Sequence, residues 1–415
     1  MANTVFIRLS LLRDNAQYRR LLAARALSLL GLGFLIVAVP VQTYQLTAST
    51  LWVALVGASD ATGLFLGLLL GGVLADTRDQ RKLILMARSV CGVGFAALTI
   101  NALLPAPSVT ALVGLAFIDG IFGAIGVSAL MAAAPKVVGR ERIVEAGALG
   151  MLTSRVINIG SPALAGLLLA VADVAWAYGL ATLATIATVS VLRGLAPLPA
   201  EQTTPRNPFA MLGDALVFLV SRRRVLVVFL LGMLLTACTG IRVLFPSLSL
   251  DVFATGDAAT GLLYAMGPIG ATLAALLSGW VHDKAQPFAL MILLCACALL
   301  AFTAIGVAPG LWAVMTLLVV FGYLMSLASL LQYGIVQRET PDAYLGRVNS
   351  LWLAQDAMGD ILGALALGTL ASMVMPLHAV LVLGLSSLGI FLVLGLTGLA
   401  LTRSAKPLDV DAGPA

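Results

Sequence analysis

The chain is poor in nearly everything that polar chemistry needs. Only two histidines, His282 and His378, occur in 415 residues. That argues against haem, di-iron or zinc catalysis, which draw on imidazole ligands. The four cysteines, Cys91, Cys238, Cys295 and Cys297, all fall inside apolar runs. They read as buried thiols, and they make neither a metal site nor a disulfide framework. No Gly-x-x-x-x-Gly-Lys-Ser/Thr run occurs, so nothing points to direct use of ATP. No cofactor and no metal are expected. Charged residues are 10% of the chain, against about 25% in a soluble domain. The net charge is +5, but the positive residues are scattered through short connections. They lack the density of a nucleic-acid-binding stripe, so no nucleic-acid partner is expected.

What replaces charge is hydrocarbon. The chain is 60% hydrophobic and its mean hydropathy is +1.05. A soluble core needs apolar residues but has no need to shed polar surface; a bilayer-embedded protein must do both. The composition therefore implies an integral membrane protein. The opening residues, MANTVFIRLSLLRDNAQYRR, are basic and too polar for a signal peptide. The first long apolar run has no cleavage-like end and is expected to stay.

A membrane-spanning helix needs about 20 predominantly apolar residues. Such runs number twelve, at 21–46, 51–75, 83–104, 108–135, 146–170, 174–195, 225–250, 258–281, 288–308, 311–337, 347–372 and 377–402. The expected fold is all-α, with twelve transmembrane helices in two pseudo-symmetric six-helix bundles. Residues 196–222, rich in Pro and Thr, form the only long connector. The chain then divides into an N-terminal segment 1–20, a bundle 21–195, a linker 196–222, a bundle 223–402 and a tail 403–415. The connections after segments 1, 3, 5, 7, 9 and 11 carry no Lys or Arg. All of the 24 basic residues except Arg25, Arg155 and Arg242 lie near the termini or the even connections. The positive-inside rule places both termini in the cytoplasm.

The halves resemble each other. GVLAD, ending at Asp76, matches GWVHD, ending at Asp283; FIDGIFG (117–123) matches VVFGYLM (319–325); GSPALAG (160–166) matches GDILGAL (359–365). Parallel repeats about an axis normal to the membrane build a rocking transporter.

Ionic residues inside the apolar runs cost about 2.5–3.5 kcal/mol each at mid-bilayer, so partners, water or ligand must offset them. They are Arg25, Asp60, Asp119, Arg155, Arg242, Asp356 and Asp360. Segments 3, 6, 9 and 12 carry none and read as lipid-facing props around a polar cavity. Arg25 either snorkels to headgroups or meets substrate. Arg155 either pairs with a carboxylate or meets substrate. Arg242 and Asp119 could neutralise each other. Asp356 and Asp360, four apart, share a helix face; two close carboxylates suit a shared proton. Asp60 joins them as a candidate proton carrier. Segment 10 offers Ser326, Ser329, Gln332 and Tyr333, and Phe321, Tyr333 and Trp352 offer rings for stacking.

The turn GGVLADTRDQRKLIL crowds Asp76, Arg78, Asp79, Arg81 and Lys82 between two apolar runs. An Asp beside basic groups at a helix junction can lock two bundles in one conformation and release them in another; the plainer reading is a positive-inside stop. Gly72 is expected to allow close helix approach. This turn resembles the signature of the major facilitator superfamily, Gly-x-Leu-Ala-Asp-Arg-x-Gly-Arg-Lys. Gly72, Leu74, Ala75, Asp76 and Arg81 correspond; Thr77, Asp79 and Gln80 depart. NIGSPALAG is weakly similar to the family's antiporter motif. Across nearly the whole chain, GRERIVEAGALGMLTSR and LLQYGIVQRETPDAYLGRVN among other stretches resemble the enterobactin-exporter family of enteric bacteria.

The resemblance implies export of a catecholate siderophore across the inner membrane, in the service of iron homeostasis, with a siderophore, protons, the bilayer and an outer-membrane efflux channel as partners. It suggests Arg25, Asp119, Arg155, Arg242, Gln332, Tyr333 and Trp352 as substrate contacts, and Gly72, Asp76, Arg81 and Lys82 as the gate. Asp60 and Asp356 stand where that family has neutral polar residues. The rivals are a broad drug-efflux pump on the same scaffold, a membrane-bound enzyme and a passive channel.

Overall fold

The computed structural model describes residues 10–199, 213, 217, 219–281 and 286–404, without the side chains of Asp76, Arg140, Asp342, Ala343, residues 345–347, Ser350 and 398–404. Residues 1–9, most of the expected linker, Asp283 and the tail beyond Ser404 lie outside the described residues.

Among the described residues, a helical turn at Ser10–Asp14 is followed by twelve long helices. They are α1 Ala16–Thr47, α2 Thr50–Thr77, α3 Gln80–Leu103, α4 Val109–Val138, α5 Ile143–Leu169, α6 Val174–Arg193, α7 Arg223–Val252, α8 Asp257–Val281, α9 Pro287–Ile305, α10 Leu311–Glu339, α11 Asp342–Met373 and α12 Pro376–Ser404. Each falls on one of the twelve expected segments. Eleven are long and apolar enough to cross a membrane. The other, α11, is made more polar by Gln355, Asp356 and Asp360. Twelve crossings put Ala16, at the start of α1, and Ser404, at the end of α12, on one side, here called the terminal side.

Short polar residues start the helices by accepting from first-turn amides left without a helical partner. Asn15 accepts from Tyr18 N, Asp79 from Lys82 N, Ser108 from Ala111 N and Asp173 from Val174 N. Ala48, in the left-handed conformation at φ 46°, ends α1 and opens the two-residue turn into α2.

Close packing within each half depends on glycine, as expected where hydrocarbon gives helices no reason to separate from lipid. A Cβ on Gly120 of α4 would stand 2.1 Å from the Asp60 carbonyl oxygen of α2, and one on Gly63 would stand 2.3 Å from Phe117 O. In the second half, a Cβ on Gly322 of α10 would stand 2.4 Å from Gly267 O of α8, and one on Gly270 would stand 2.1 Å from Val319 O. Phe117 and Gly120 occupy the same places in FIDGIFG as Val319 and Gly322 in VVFGYLM. The internal repeat is thus a three-dimensional equivalence: α2 crosses α4 as α8 crosses α10. Gly72 does not share in this, because a Cβ placed on it would meet nothing within 4 Å. The close approach at that end of α2 belongs to Gly71, against Ser128 of α4.

The halves meet where α2 packs on α11 and α5 on α8. On the side opposite the termini they are sealed. Thr50 Oγ1 donates to Gly368 O at 3.1 Å, Gly166 of α5 faces Gly261 of α8, and the Tyr44 hydroxyl of α1 donates to Asp251 of α7.

Candidate functional site: an ionic chamber between the bundles

The site begins with a break in α7. Thr239–Leu244 winds as a tight 3-10 turn, Pro246 lacks an amide hydrogen, and Leu248–Val252 widens into a π turn. Irregular backbone at membrane depth survives only where its freed groups find partners. Here Arg242 Nε donates to Thr239 O at 3.2 Å and the Tyr264 hydroxyl donates to Arg242 O at 3.0 Å. The break turns the Arg242 guanidinium onto α11. Its Nη2 donates to both oxygens of Asp360, at 2.6 and 2.5 Å, and Thr239 Oγ1 donates to Asp360 Oδ1 at 2.6 Å. The pairing with Asp119 that the sequence left open for Arg242 is not the one formed: Asp360 holds Arg242, because the break aims it across its own bundle. Asp360 is thus engaged by Arg242 in this conformation, whereas Asp356 is not.

Other acids converge on this pair. Asp60 of α2 lies within electrostatic reach of Asp119, Asp360 and Arg242, and Asp356 lies beside Asp360. Of these four carboxylates, only Asp360 makes an ion pair among the described residues. Asp119 faces Cys91 and Arg88 of α3, and its Oδ1 is buried without a hydrogen-bond partner. Arg88 is therefore a functional candidate that sequence reasoning missed. Its place near the start of segment 3 groups it with the preceding connection, yet it is 6% exposed and turned toward α4. The expectation that segment 3 carries no interior charge is corrected accordingly.

The aromatic expectations divide. Trp352 of α11 meets Tyr333 of α10 edge-on at 6.2 Å and Phe229 of α7 at 5.4 Å. Nothing in the sequence around Phe229 sets it apart from ordinary core. Gln332 is 1% exposed, with its amide turned to Cys295 of α9, so in this conformation it packs between helices. Phe321 does likewise: it is buried against Phe302.

Arg25 sits apart from the chamber on the seam between α1 and α5, beside Gly150 and Tyr18. Arg155 of α5 is half-exposed, with no hydrogen bond or ion pair among the described residues. At the expected gate, the Asp76 side chain lies outside the described residues. Arg81 Nη2 donates to Arg193 O at 2.7 Å, tying α3 to the C-terminal end of α6 within one bundle. Lys82 is exposed and shows no side-chain partner among the described residues. In this conformation, then, Arg81 fastens a bundle to itself rather than to its partner half.

The Tyr44–Asp251 bond fastens the sealed side, which gives a direct expectation. A hydrogen bond to a charged group is worth about 1.5–3 kcal/mol. Tyr44→Phe is expected to shift the population toward opening on that side by roughly tenfold. Spin-label distances between the outer ends of α1 and α7 read this directly; an unchanged distribution would remove the bond from the seal.

Two six-helix bundles related by internal repeats, meeting around an ionic chamber and sealed on one side, define a multi-pass membrane transporter of the major facilitator fold. The sequence profile of the family described as "Transmembrane secretion effector" matches residues 9–410, and the chain belongs to that family. Among its relatives, the enterobactin exporter EntS of Citrobacter koseri is 42% identical over 410 residues, covering 98% of each chain. The enterobactin exporter EntS of Salmonella typhimurium is 41% identical over 409 residues, again covering 98% of each. Among solved structures, the nucleoside transporter NupG superposes with a TM-score of 0.74 at 16% identity, covering 94% of this chain and 100% of that one. A peptide transporter POT superposes with a TM-score of 0.72 at 15% identity, covering 94% of each. At such identity these structures speak for the fold alone.

Proposed function

We propose that this protein is a secondary active exporter of a catecholate siderophore of the enterobactin kind, working by proton antiport and alternating access. The observation that carries the reading is the 42% identity to an enterobactin exporter over 98% of both chains. The membrane is the bacterial inner membrane. The terminal side, where the basic residues gather, is the cytoplasmic side, and the sealed side faces the periplasm. A siderophore released there has an outer membrane still to cross, so an outer-membrane efflux channel is the partner expected downstream. The substrate is moved and not converted; no enzymatic step is assigned.

In this reading, Trp352 and Tyr333 stack on catechol rings, and Arg155, which has no partner of its own among the described residues, donates to their oxygens. Arg242 is held by Asp360 and reaches substrate only when that pair opens. Asp119 contributes from the N-terminal half, whereas Arg25 stands apart on the seam between α1 and α5. Asp60 is the favoured proton carrier, since it lies within electrostatic reach of Asp119, Asp360 and Arg242 and has no ion pair of its own among the described residues. Gating falls to Asp76, Arg81 and Lys82. Each proton that moves inward down the potential supplies about 2.3 kcal/mol per 100 mV.

Mass spectrometry of culture medium tests the reading. A strain lacking the gene is expected to lose most catecholate from the medium and to accumulate it inside, with secretion restored by the intact gene. Undiminished secretion together with new drug sensitivity would point instead to a drug-efflux pump.

A further inference from the structure

Trp352, Asp356 and Asp360 stand four residues apart along α11, on one face of the helix. Asp360 shows where that face looks. It binds Arg242 and lies within electrostatic reach of Asp60 in the opposite bundle, so the face borders the chamber and not the lipid. Asp356, one turn nearer the terminal side, is half-exposed and has no cation at ion-pair distance among the described residues. The adjacent Gln355 offers it only a long amide contact of 3.4 Å and no charge. Turned so that both of its amide atoms find partners, Gln355 donates to Phe229 O at 3.2 Å and accepts from Met233 N at 3.1 Å, and so belongs to the backbone of α7.

One more turn along, the Trp352 ring is fixed by edge contacts from Phe229 and Tyr333. Tyr333 is itself 46% exposed. An interior carboxylate without counter-charge, on the same helix face as an aromatic ring packed edge-on against two others, is matched by a ligand that is both cationic and apolar. The carboxylate supplies the charge that a desolvated cation needs, and the ring faces supply attraction for a cation close by.

From this geometry we infer that Asp356, Trp352 and Tyr333 form a binding subsite for a hydrophobic organic cation, of the quaternary phosphonium or ammonium class. The inference goes beyond the export reading and does not depend on it. Trp352 and Tyr333 serve both ligands. Asp356 serves only the cation, and Arg155 only the catecholate.

The test uses the purified full-length protein and two probes of the same shape and opposite charge, tetraphenylphosphonium and tetraphenylborate, titrated calorimetrically. Tetraphenylphosphonium is expected to bind saturably and at least roughly tenfold more tightly than the borate, the order of a charge-dependent aromatic contact. Asp356→Asn is expected to weaken phosphonium binding by about tenfold or more, with Asp356→Glu retaining most of it. Trp352→Ala should weaken it several-fold and Trp352→Phe less. Asp173→Asn, at the start of α6 on the opposite side, should change nothing. Should Asp356→Asn fail to fold, the comparison of the two probes on the wild-type protein still decides. Borate binding as tightly as phosphonium, or phosphonium binding that survives Asp356→Asn, overturns the subsite. Gene-dependent catecholate secretion alongside no phosphonium binding removes this inference alone. Phosphonium binding without catecholate secretion removes the export reading alone.

Discussion

Arg242→Ala is expected to lower the melting temperature of the detergent-solubilised protein and to abolish transport, and Asp360→Ala added to it is expected to restore much of the stability. The side chains are 40% and 33% exposed to the chamber, so the pair lies between two regimes. Exposed ion pairs contribute at most about 1 kcal/mol, whereas breaking a buried one costs about 3–5 kcal/mol because the abandoned charge has no solvent. A coupling of about 2 kcal/mol is expected here. The geometry lifts the pair above the exposed limit: two contacts to one carboxylate, a third bond from Thr239, and a Thr239 carbonyl orienting the guanidinium. Removing Arg242 leaves Asp360 beside Asp60 and Asp356 with no cation among them. Removing both members takes away the repulsion as well as the attraction. Melting curves of the wild type, both single variants and the double variant measure the coupling. If the two single losses simply add, the pair contributes nothing beyond its parts, and the account of Arg242 as a held residue is wrong.

The sequence was legible wherever depth in the membrane decides the outcome. Twelve apolar runs became twelve helices because length and hydropathy fix where a chain crosses. It was also legible wherever the two halves repeat, since Gly120 and Gly322 answer each other across about 200 residues of chain. It was illegible in azimuth. Arg88 sits two turns into α3, a depth at which an arginine can reach headgroups along its own stem. Only the rotation of α3 against α4 tells that it faces Asp119 instead. Gln332 and Tyr333 are sequence neighbours with similar chemistry, yet about 100° of helical rotation separates them. One is buried against Cys295 and the other stands open beside Trp352. Gly72 lies in a superfamily signature, but Gly71 makes the close contact, again a matter of one step of rotation. The pairing of Arg242 with Asp360 depended on the break in α7, which Pro246 hints at but does not locate.

Rotation also governs the largest stability effect expected. Gly120→Ala places a methyl group 2.1 Å from Asp60 O and 2.7 Å from Leu64 N, both backbone atoms of α2. No flexible side chain can yield there, so the helices must part along the whole crossing that Gly63 and Gly67 also line. Overpacking of this kind costs about 3 kcal/mol at the upper end of its usual range, enough to deplete the folded fraction of a protein of ordinary stability. Gly72→Ala meets nothing within 4 Å and is expected to be neutral, with the better helix propensity of alanine in its favour. Gly322→Ala repeats the first clash against Gly267 O at 2.4 Å and should cost about as much as Gly120→Ala, because the repeat gives α8 and α10 the same crossing. The two clashes differ in one respect. The stretch of α2 displaced by Gly120→Ala carries Asp60, and Gly120 follows Asp119, so that variant also moves two carboxylates of the chamber. Fluorescence-detected size exclusion and melting should therefore report similar losses for Gly120→Ala and Gly322→Ala. Transport per folded molecule should fall much further for Gly120→Ala. Equal transport in the two folded variants would mean that the acids of the N-terminal half can move without consequence, and Asp60 would lose its place in the exchange of protons for substrate.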